Sequence, residues 1–220
     1  MSARRVGEPQ EPRVSAPDLP ERLHEVDALK AGDDVIQARI SGLRGDVDAA
    51  RATVSESVVA DADVGRLDLT LARLTDVEIT DLRAMELVAS RGSWRNVRIT
   101  GGRIGALDLG RAELYSVELR GVRIDYLALS EADASDVLIA DCVIGTLDLP
   151  SAKLSRVRFE GVRADEVDTR ELRSTHVDLR GLDAVAYTSP AGLRGATLAS
   201  RQVELLAADL ASALGIDVRD

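Results

Sequence analysis

The chain has 220 residues, of which 45% are hydrophobic but only 2% aromatic, so its core must be built mainly from Leu, Ile, Val and Ala. It carries 38 acidic and 28 basic residues, and the net charge of −10 argues against direct binding to nucleic acid or to an anionic membrane. The single cysteine, Cys142, excludes a disulfide framework and a cysteine-ligated metal site, and its phase in the repeat described below predicts a buried thiol.

The N-terminal end has no regular spacing of apolar residues. Residues 1–20 contain Pro9, Pro12, Pro17 and Pro20, a composition typical of a disordered tail. Residues 21–43 are predicted to form an irregular N-terminal cap, with a short helix over 21–31. Apolar runs stay well short of the ~18 residues of a membrane span, and no apolar segment follows the basic N-terminus as in a signal peptide. We therefore expect a cytoplasmic protein.

A five-residue period begins at residue 62. Val64, Leu69, Leu74 and Ile79 start a series of apolar or small residues that continues every five positions to Leu179. A second such series lies two residues earlier, from Ala62 to Val177. None of these positions is charged, although 30% of the chain is charged. The period is neither that of a helix nor that of a flat strand.

A longer period of 20 residues, or four of these five-residue blocks, is superimposed on the five-residue period. Gly-x-Leu-Asp-Leu recurs at 65–69, 105–109 and 145–149, and valines and leucines form columns that recur at every fourth block. The valine column is Val77, Val97, Val117, Val137, Val157 and Val177. Four blocks therefore make one coil, and stacked coils satisfy their backbone through hydrogen bonds to the coils above and below. The pattern predicts an all-β solenoid over 44–198, with a slip in phase between Ile40 and Ala49.

The blocks resemble those of a known family. Residues 111–115 (RAELY), 151–155 (SAKLS) and 71–75 (LARLT) are similar to the A-x-L-x-x consensus of the pentapeptide-repeat family. The resemblance covers about 44–183. It implies a right-handed quadrilateral parallel β-helix. Several members of that family resemble duplex DNA in shape and charge, and they protect type II topoisomerases such as DNA gyrase and topoisomerase IV from quinolones.

The phase ends after residue 183, and the last segment has the pattern of a cap. A loop at 187–192 and a shifted block at 193–199 precede Ser200, a predicted N-cap, and an amphipathic helix over 201–214 that Gly215 would end. Residues 199–220 would then be a capping α-helix and a short exit strand. The apolar face is wide, and family members with such a helix often pair through it. We expect a homodimer through 193–218, with Leu205, Leu206, Leu210 and Leu214 as candidate interface residues; a monomer whose helix lies flat on the last coil is the alternative.

Catalytic motifs are not apparent in the sequence, so we expect no enzyme activity, no cofactor and no metal. Two columns of charge instead stand out as a candidate partner-binding surface, consisting of Asp68, Asp108 and Asp148 on one face and Arg103 and Arg123 on the preceding face. The simpler interpretation of both columns is a solvated ladder of weak ion pairs.

The columns favour a rigid scaffold that binds a protein partner of unknown identity. The alternative is a DNA mimic that binds and protects DNA gyrase or topoisomerase IV. Residues 64–183 carry 21 acidic and 17 basic residues, whereas a duplex carries one negative charge per ~1.7 Å. An arginine column would repel a basic DNA-binding saddle, so the scaffold is the preferred hypothesis.

Overall fold

The computed structural model describes residues 7–219. Within them the chain forms parallel strands that alternate between an 11-stranded and an 8-stranded sheet as it winds, followed by two short helices. The predicted all-β solenoid is confirmed. The strands are β1 (His24–Val26), β2 (Asp34–Ile36), β3 (Ala38–Ser41), β4 (Arg44–Asp48), β5 (Thr53–Ala60), β6 (Asp63–Asp68), β7 (Arg73–Thr80), β8 (Arg83–Val88), β9 (Ser93–Thr100), β10 (Arg103–Asp108), β11 (Glu113–Arg120), β12 (Arg123–Ala128), β13 (Asp133–Ala140), β14 (Val143–Asp148), β15 (Lys153–Glu160), β16 (Val162–Asp168), β17 (Arg173–Asp178), β18 (Leu182–Thr188) and β19 (Ala196–Thr197).

The register of the strands follows the sequence columns. Val77 lies beside Val97 and Val97 beside Val117, and each step advances the chain by one coil. Each coil has four faces of one block each. We number them from face 1 (62–66) through face 2 (67–71) and face 3 (72–76) to face 4 (77–81), and the same numbers apply to the equivalent blocks of every other coil. These faces fit the predicted quadrilateral cross-section.

Left-handed backbone turns the chain at the corners. Asp76, Asn96, Ser116 and Asp136 end face 3 in successive coils, with φ between 54° and 57°. Asp, Asn and Ser tolerate this region because their short polar side chains bond locally. On face 1, Gly105 has a different role, since a Cβ there would come within 2.5 Å of the Met85 carbonyl oxygen. This close approach explains why glycine recurs in Gly-x-Leu-Asp-Leu.

The interior holds the two apolar series. Trp94 is 1% exposed and lies beside Gly92, where a Cβ would crowd the carbonyl oxygens of Ala72 and Ala89 at 3.0 Å. The Trp94 N–H has no hydrogen-bond partner among the described residues, so shape alone holds the indole. Cys142 is 1% exposed, and burial raises the pKa of its thiol. The thiol is therefore packed as a small apolar group rather than poised as a nucleophile.

The N-terminal end differs from the sequence expectations. Residues 24–26 form β1 rather than part of a helix, and β1 and β3 pair in the same sheet as the later coils. Tertiary pairing has overridden a weak helical pattern of three apolar residues. The solenoid therefore starts before residue 44. The structure places the slip between Gly45 and Asp46, where the offset between the paired residues of β4 and β6 grows by one position.

The proline-rich tail also differs, because residues 7–20 lie along the outside of the rod and bond to its side chains. Spacing could not reveal this, since the contacts are polar and join residues as distant in sequence as Glu8 and Arg180. Residues 1–6 of the predicted disordered tail lie outside the described residues.

The C-terminal end closes the last coil. A 3-10 turn (Pro190–Leu193) leads to β19, α1 (Ser200–Leu205) and α2 (Ala207–Ala213), so the single predicted helix is broken at Leu206. Ala199, not Ser200, is the N-cap residue, and the Gln202 side chain accepts its N–H at 2.7 Å. Gln202 Nε2 also donates to the carbonyl oxygens of Leu179 and Leu182 at 2.8 and 2.7 Å. It thereby satisfies backbone groups that the end of a solenoid leaves open. Neither helix of the described chain is long and apolar enough to cross a membrane.

Candidate partner-binding surface

The aspartate column lies on face 2 and is only half-exposed. The Oδ1 of Asp68 accepts the N–H of Thr70 at 2.9 Å, and the Oδ1 of Asp108 accepts the N–H of Gly110 at 2.8 Å. These carboxylates hold the turn that follows them, which is the local bond that makes Asp frequent in turns. In addition to any role at the surface, these aspartates therefore have a structural role in the turns.

Asp148 departs from that rule because residue 150 is a proline and has no N–H to donate. Its Oδ2 instead accepts the hydroxyls of Tyr126 at 2.8 Å and Ser130 at 3.2 Å. Burial and this hydrogen bond raise the pKa of Tyr126 to about 12. The phenol therefore stays neutral at physiological pH and acts as a donor.

The pKa of Asp68 also reflects its role in the turn. Burial alone would raise that pKa, but hydrogen bonds from Thr70 and Arg66 outweigh the burial and hold it below its ordinary value. The side chain is thus a fixed anion at neutral pH rather than a proton donor.

The arginine column lies on face 1 and is well exposed. Arg103 and Arg123 are adjacent in the ladder between β10 and β12. Both contact Asp125, Arg103 Nη2 at 3.1 Å from Oδ2 and Arg123 Nε at 3.7 Å from Oδ1. Their side chains are 62% and 61% exposed, so these ion pairs contribute little to stability and the guanidinium groups are accessible.

Face 1 also carries an open groove of about 890 Å³, which the sequence did not predict. Met85 lies within it and is 77% exposed, while the neighbouring Gly102 and Gly105 have no side chains to fill it. Arg83 and Arg103 also line the groove and lie side by side in the ladder between β8 and β10, two residues before Met85 and Gly105. The predicted Arg103 therefore lines this groove, whereas the aspartate column lies on the adjacent face and does not.

A third column, at the corner between faces 3 and 4, was also missed. Its polar side chains bond to one another across coils: Ser116 Oγ to Asn96 Oδ1 at 3.4 Å, and Arg156 Nε and Nη2 to Asp136 at 2.6 and 2.7 Å. Asp136 is fully buried. The sequence has a polar residue at this place in each coil. The column is hard to recognise because the type of residue changes from coil to coil.

The predicted dimer residues divide into two pairs. Leu206 is 7% exposed and packs in the core with the half-buried Leu210. Leu205 and Leu214 are 72% and 78% exposed. The exposed apolar surface continues through Val203, Ile216 and Val218, which also lie within the predicted interface segment 193–218.

No family model matches this sequence, and no curated protein matches it. A solved structure of QnrB1, described as a plasmid-mediated fluoroquinolone resistance protein, is similar over 90% of this chain and 100% of that chain, with 14% identity and a TM-score of 0.33. A likeness this distant carries no argument about partners. The five-residue period and the parallel stacked coils are the chain's own evidence, and by fold they are consistent with the pentapeptide-repeat family.

Proposed function

We propose that this chain is a non-catalytic rod that binds a protein partner through face 1. The observation that carries the proposal is the exposed Met85 in a groove that Arg83 and Arg103 also line. Methionine and arginine are enriched at protein interfaces, because a flexible thioether adapts to a partner and a guanidinium both stacks and donates hydrogen bonds. The 77% exposure of the Met85 side chain supports that role.

Gyrase or topoisomerase protection by DNA mimicry is the weaker hypothesis. Mimicry requires dense and continuous negative charge. Arg83, Arg103 and Arg123 instead align in neighbouring coils on face 1. Acidic groups elsewhere on the rod are often neutralised in pairs, such as Glu131 with Arg111 at 2.8 Å.

The test is capture from a lysate of the producing organism, with a photo-cross-linker placed next to Met85 in the full chain. We expect the same protein to be cross-linked repeatedly and to be lost in the double variant Met85→Asp, Arg103→Glu. The control is Arg73→Glu, which changes an exposed arginine on face 3. Equal capture by both variants would contradict binding at face 1, and recovery of gyrase subunits would favour mimicry.

We also propose that two copies pair through their C-terminal ends. Leu205 and Leu214 are both exposed, and Leu214 lines an apolar cavity of about 570 Å³ together with Leu193, Leu198 and Leu210, among others. Pairing would bury these side chains, whereas a monomer leaves them in water at a cost of about 25 cal/mol per Å² of apolar surface.

Sedimentation velocity at micromolar concentration tests the pairing. We expect a dimeric mass for the full chain and a monomeric mass for Leu205→Glu with Leu214→Glu. Leu71→Glu is the control, because Leu71 is 46% exposed on the side of the rod, away from this end. A monomeric mass for the unmodified chain would contradict the dimer and leave the helices as a cap alone.

A further inference from the structure

The proline-rich tail is seated on a continuous polar strip of the rod. We call this strip the tail track and define it by the six residues that contact the tail: Asp76, Asn96, Ser116, Asp136, Arg158 and Arg180. The tail runs toward the N-terminal end of the rod as its residue numbers rise, from Glu8 at Arg180 to Asp18 at Asp76. Ten residues in an extended, polyproline-like form span about 31 Å. Five coils span about 24 Å, so these ten residues are long enough to cover them without full extension.

Backbone N–H groups make the bonds in the middle of the track. Arg13 N donates to Asp136 Oδ1 at 3.0 Å, and Asp18 N donates to Asp76 Oδ1 at 3.0 Å. Ser15 N lies 3.4 Å from Ser116 Oγ. The prolines, which have no N–H, occupy none of these donor positions. A proline at any of these three donor positions would therefore lose a hydrogen bond to the rod.

The N-terminal part of the tail is recognised by charge, and three of its prolines are partly covered by the rod. Glu8 lies 3.4 Å from Arg180, and Glu11 pairs with Arg158. Pro9, Pro12 and Pro17 are half-buried, while the polar residues between them are exposed. An extended segment with one apolar side and separated N–H donors is a known mode of peptide recognition, in which a preformed polyproline conformation loses little entropy on binding.

We propose that the tail track is a peptide-binding site for an extended, proline-rich segment of a partner protein with two acidic residues near its N-terminal end. The chain's own tail fills the site in cis and competes with the partner. This inference rests on the proposed role of the rod in binding a protein, and it adds a second surface and the chemistry of the partner segment. The contacts are few and polar, and the tail has no strand pairing of its own, so exchange needs no disruption of the coils.

Two proline substitutions in the full chain test whether the rod binds the tail through its backbone N–H groups or whether the tail merely lies beside the rod. Arg13→Pro removes an N–H that bonds to Asp136, whereas Gln10→Pro removes an N–H that has no acceptor among residues 7–219. Each substitution creates a Pro-Pro pair after an existing proline, at Pro12 or at Pro9. Arg13→Ala keeps the N–H and controls for the lost side-chain charge.

The probe is a fluorescent synthetic peptide with the native sequence of residues 7–20, and its anisotropy is measured with each rod. We expect the Arg13→Pro rod to bind the peptide about tenfold more tightly than the Gln10→Pro, Arg13→Ala or unmodified rods, because its own tail competes less. A factor of ten corresponds to about 1.4 kcal/mol, close to the lower limit for a hydrogen bond to a charged group.

Amide hydrogen exchange of residues 7–20 accompanies the binding assay. Release of the tail in the Arg13→Pro rod without binding of the peptide would overturn the proposal, and so would a tail that stays protected in that rod. Equal binding by all four rods would overturn it as well. Because the assay contains only the rod and the peptide, its failure would leave the test of face 1 unaffected.

Discussion

The coils at 64–183 and the tail at 7–20 reach fixed positions on one rod by different means. In the coils, a five-residue phase points apolar side chains inward, and identical residues stack from one coil to the next. In the tail, separate polar contacts to distant residues fix a segment with no period. A repeated pattern therefore specifies a core by spacing alone, whereas a surface segment depends on individual side chains that spacing does not show.

The largest expected effect is in the core of the coils. Trp94→Ala should lower the free energy of unfolding by about 3–5 kcal/mol, because it leaves a cavity beside Gly92. Trp94→Phe should cost much less, since the indole N–H has no partner to lose. Urea unfolding followed by circular dichroism measures both, with Met85→Ala as the exposed control in the same coil. A Trp94→Ala protein as stable as the control would show that the inward phase is wrong.

Two glycines with left-handed backbone, Gly102 and Gly121, differ in how closely the neighbouring backbone approaches them. At Gly102, φ is +87° and a Cβ would lie 2.2 Å from the Leu82 carbonyl oxygen, so Gly102→Ala should cost about 3 kcal/mol or more. At Gly121, φ is +66° with no heavy atom within 4 Å, so Gly121→Ala should cost only the backbone strain, about 1 kcal/mol. Thermal unfolding of the two variants compares them directly. Equal losses would mean that strain, and not close packing of coils, sets the requirement for glycine.

The stability of the protein should depend on pH through Asp136, the residue of the rod that accepts the N–H of Arg13 in the tail. Arg156 holds the pKa of Asp136 below its ordinary value of 3.8, against the effect of burial and with help from the N–H of Arg13. Because the folded-state pKa is the lower one, the carboxylate stabilises the protein above pH 3.8 and loses this contribution as the pH falls through the folded-state pKa.

Urea unfolding between about pH 5 and about pH 2.5 tests this dependence. The unmodified chain should lose more stability over that range than Asp136→Asn, which has no carboxylate to protonate at this site. Asp165→Asn, an exposed position, should behave like the unmodified chain. Equal losses of stability in all three proteins would show that Asp136 does not cause the pH dependence.

The smallest effect is expected in the aspartate column. Replacing Asp68, Asp108 and Asp148 with Asn should leave folding intact, because an amide oxygen still accepts the hydrogen bonds from Thr70 and Gly110. The matched Ala triple variant should lose about 1 kcal/mol per site. Thermal unfolding distinguishes them, and an Asn variant that fails to fold would show that the negative charge itself is structural.

The sequence was sufficient to predict the solenoid because the inward positions obey one rule over many coils. The candidate site was less accessible to prediction. Arg103 could be placed beside Arg123. Gly105 was visible in the recurring Gly-x-Leu-Asp-Leu, but the motif does not indicate that Met85 lies exposed in a groove beside this glycine. The tail track was hidden for another reason, since its hydrogen bonds come from the backbone of the tail, which every non-proline residue supplies.

Residue-resolved amide hydrogen exchange of the full chain tests the central contrast most directly. We expect the slowest exchange in the paired strands of the coils. In the tail, the N–H groups of Arg13 and Asp18 should show intermediate protection, and that of Gln10 should be unprotected. Random-coil exchange at Arg13 and Asp18, or uniform protection that includes Gln10, would contradict the claim that separate polar contacts hold the tail on the rod.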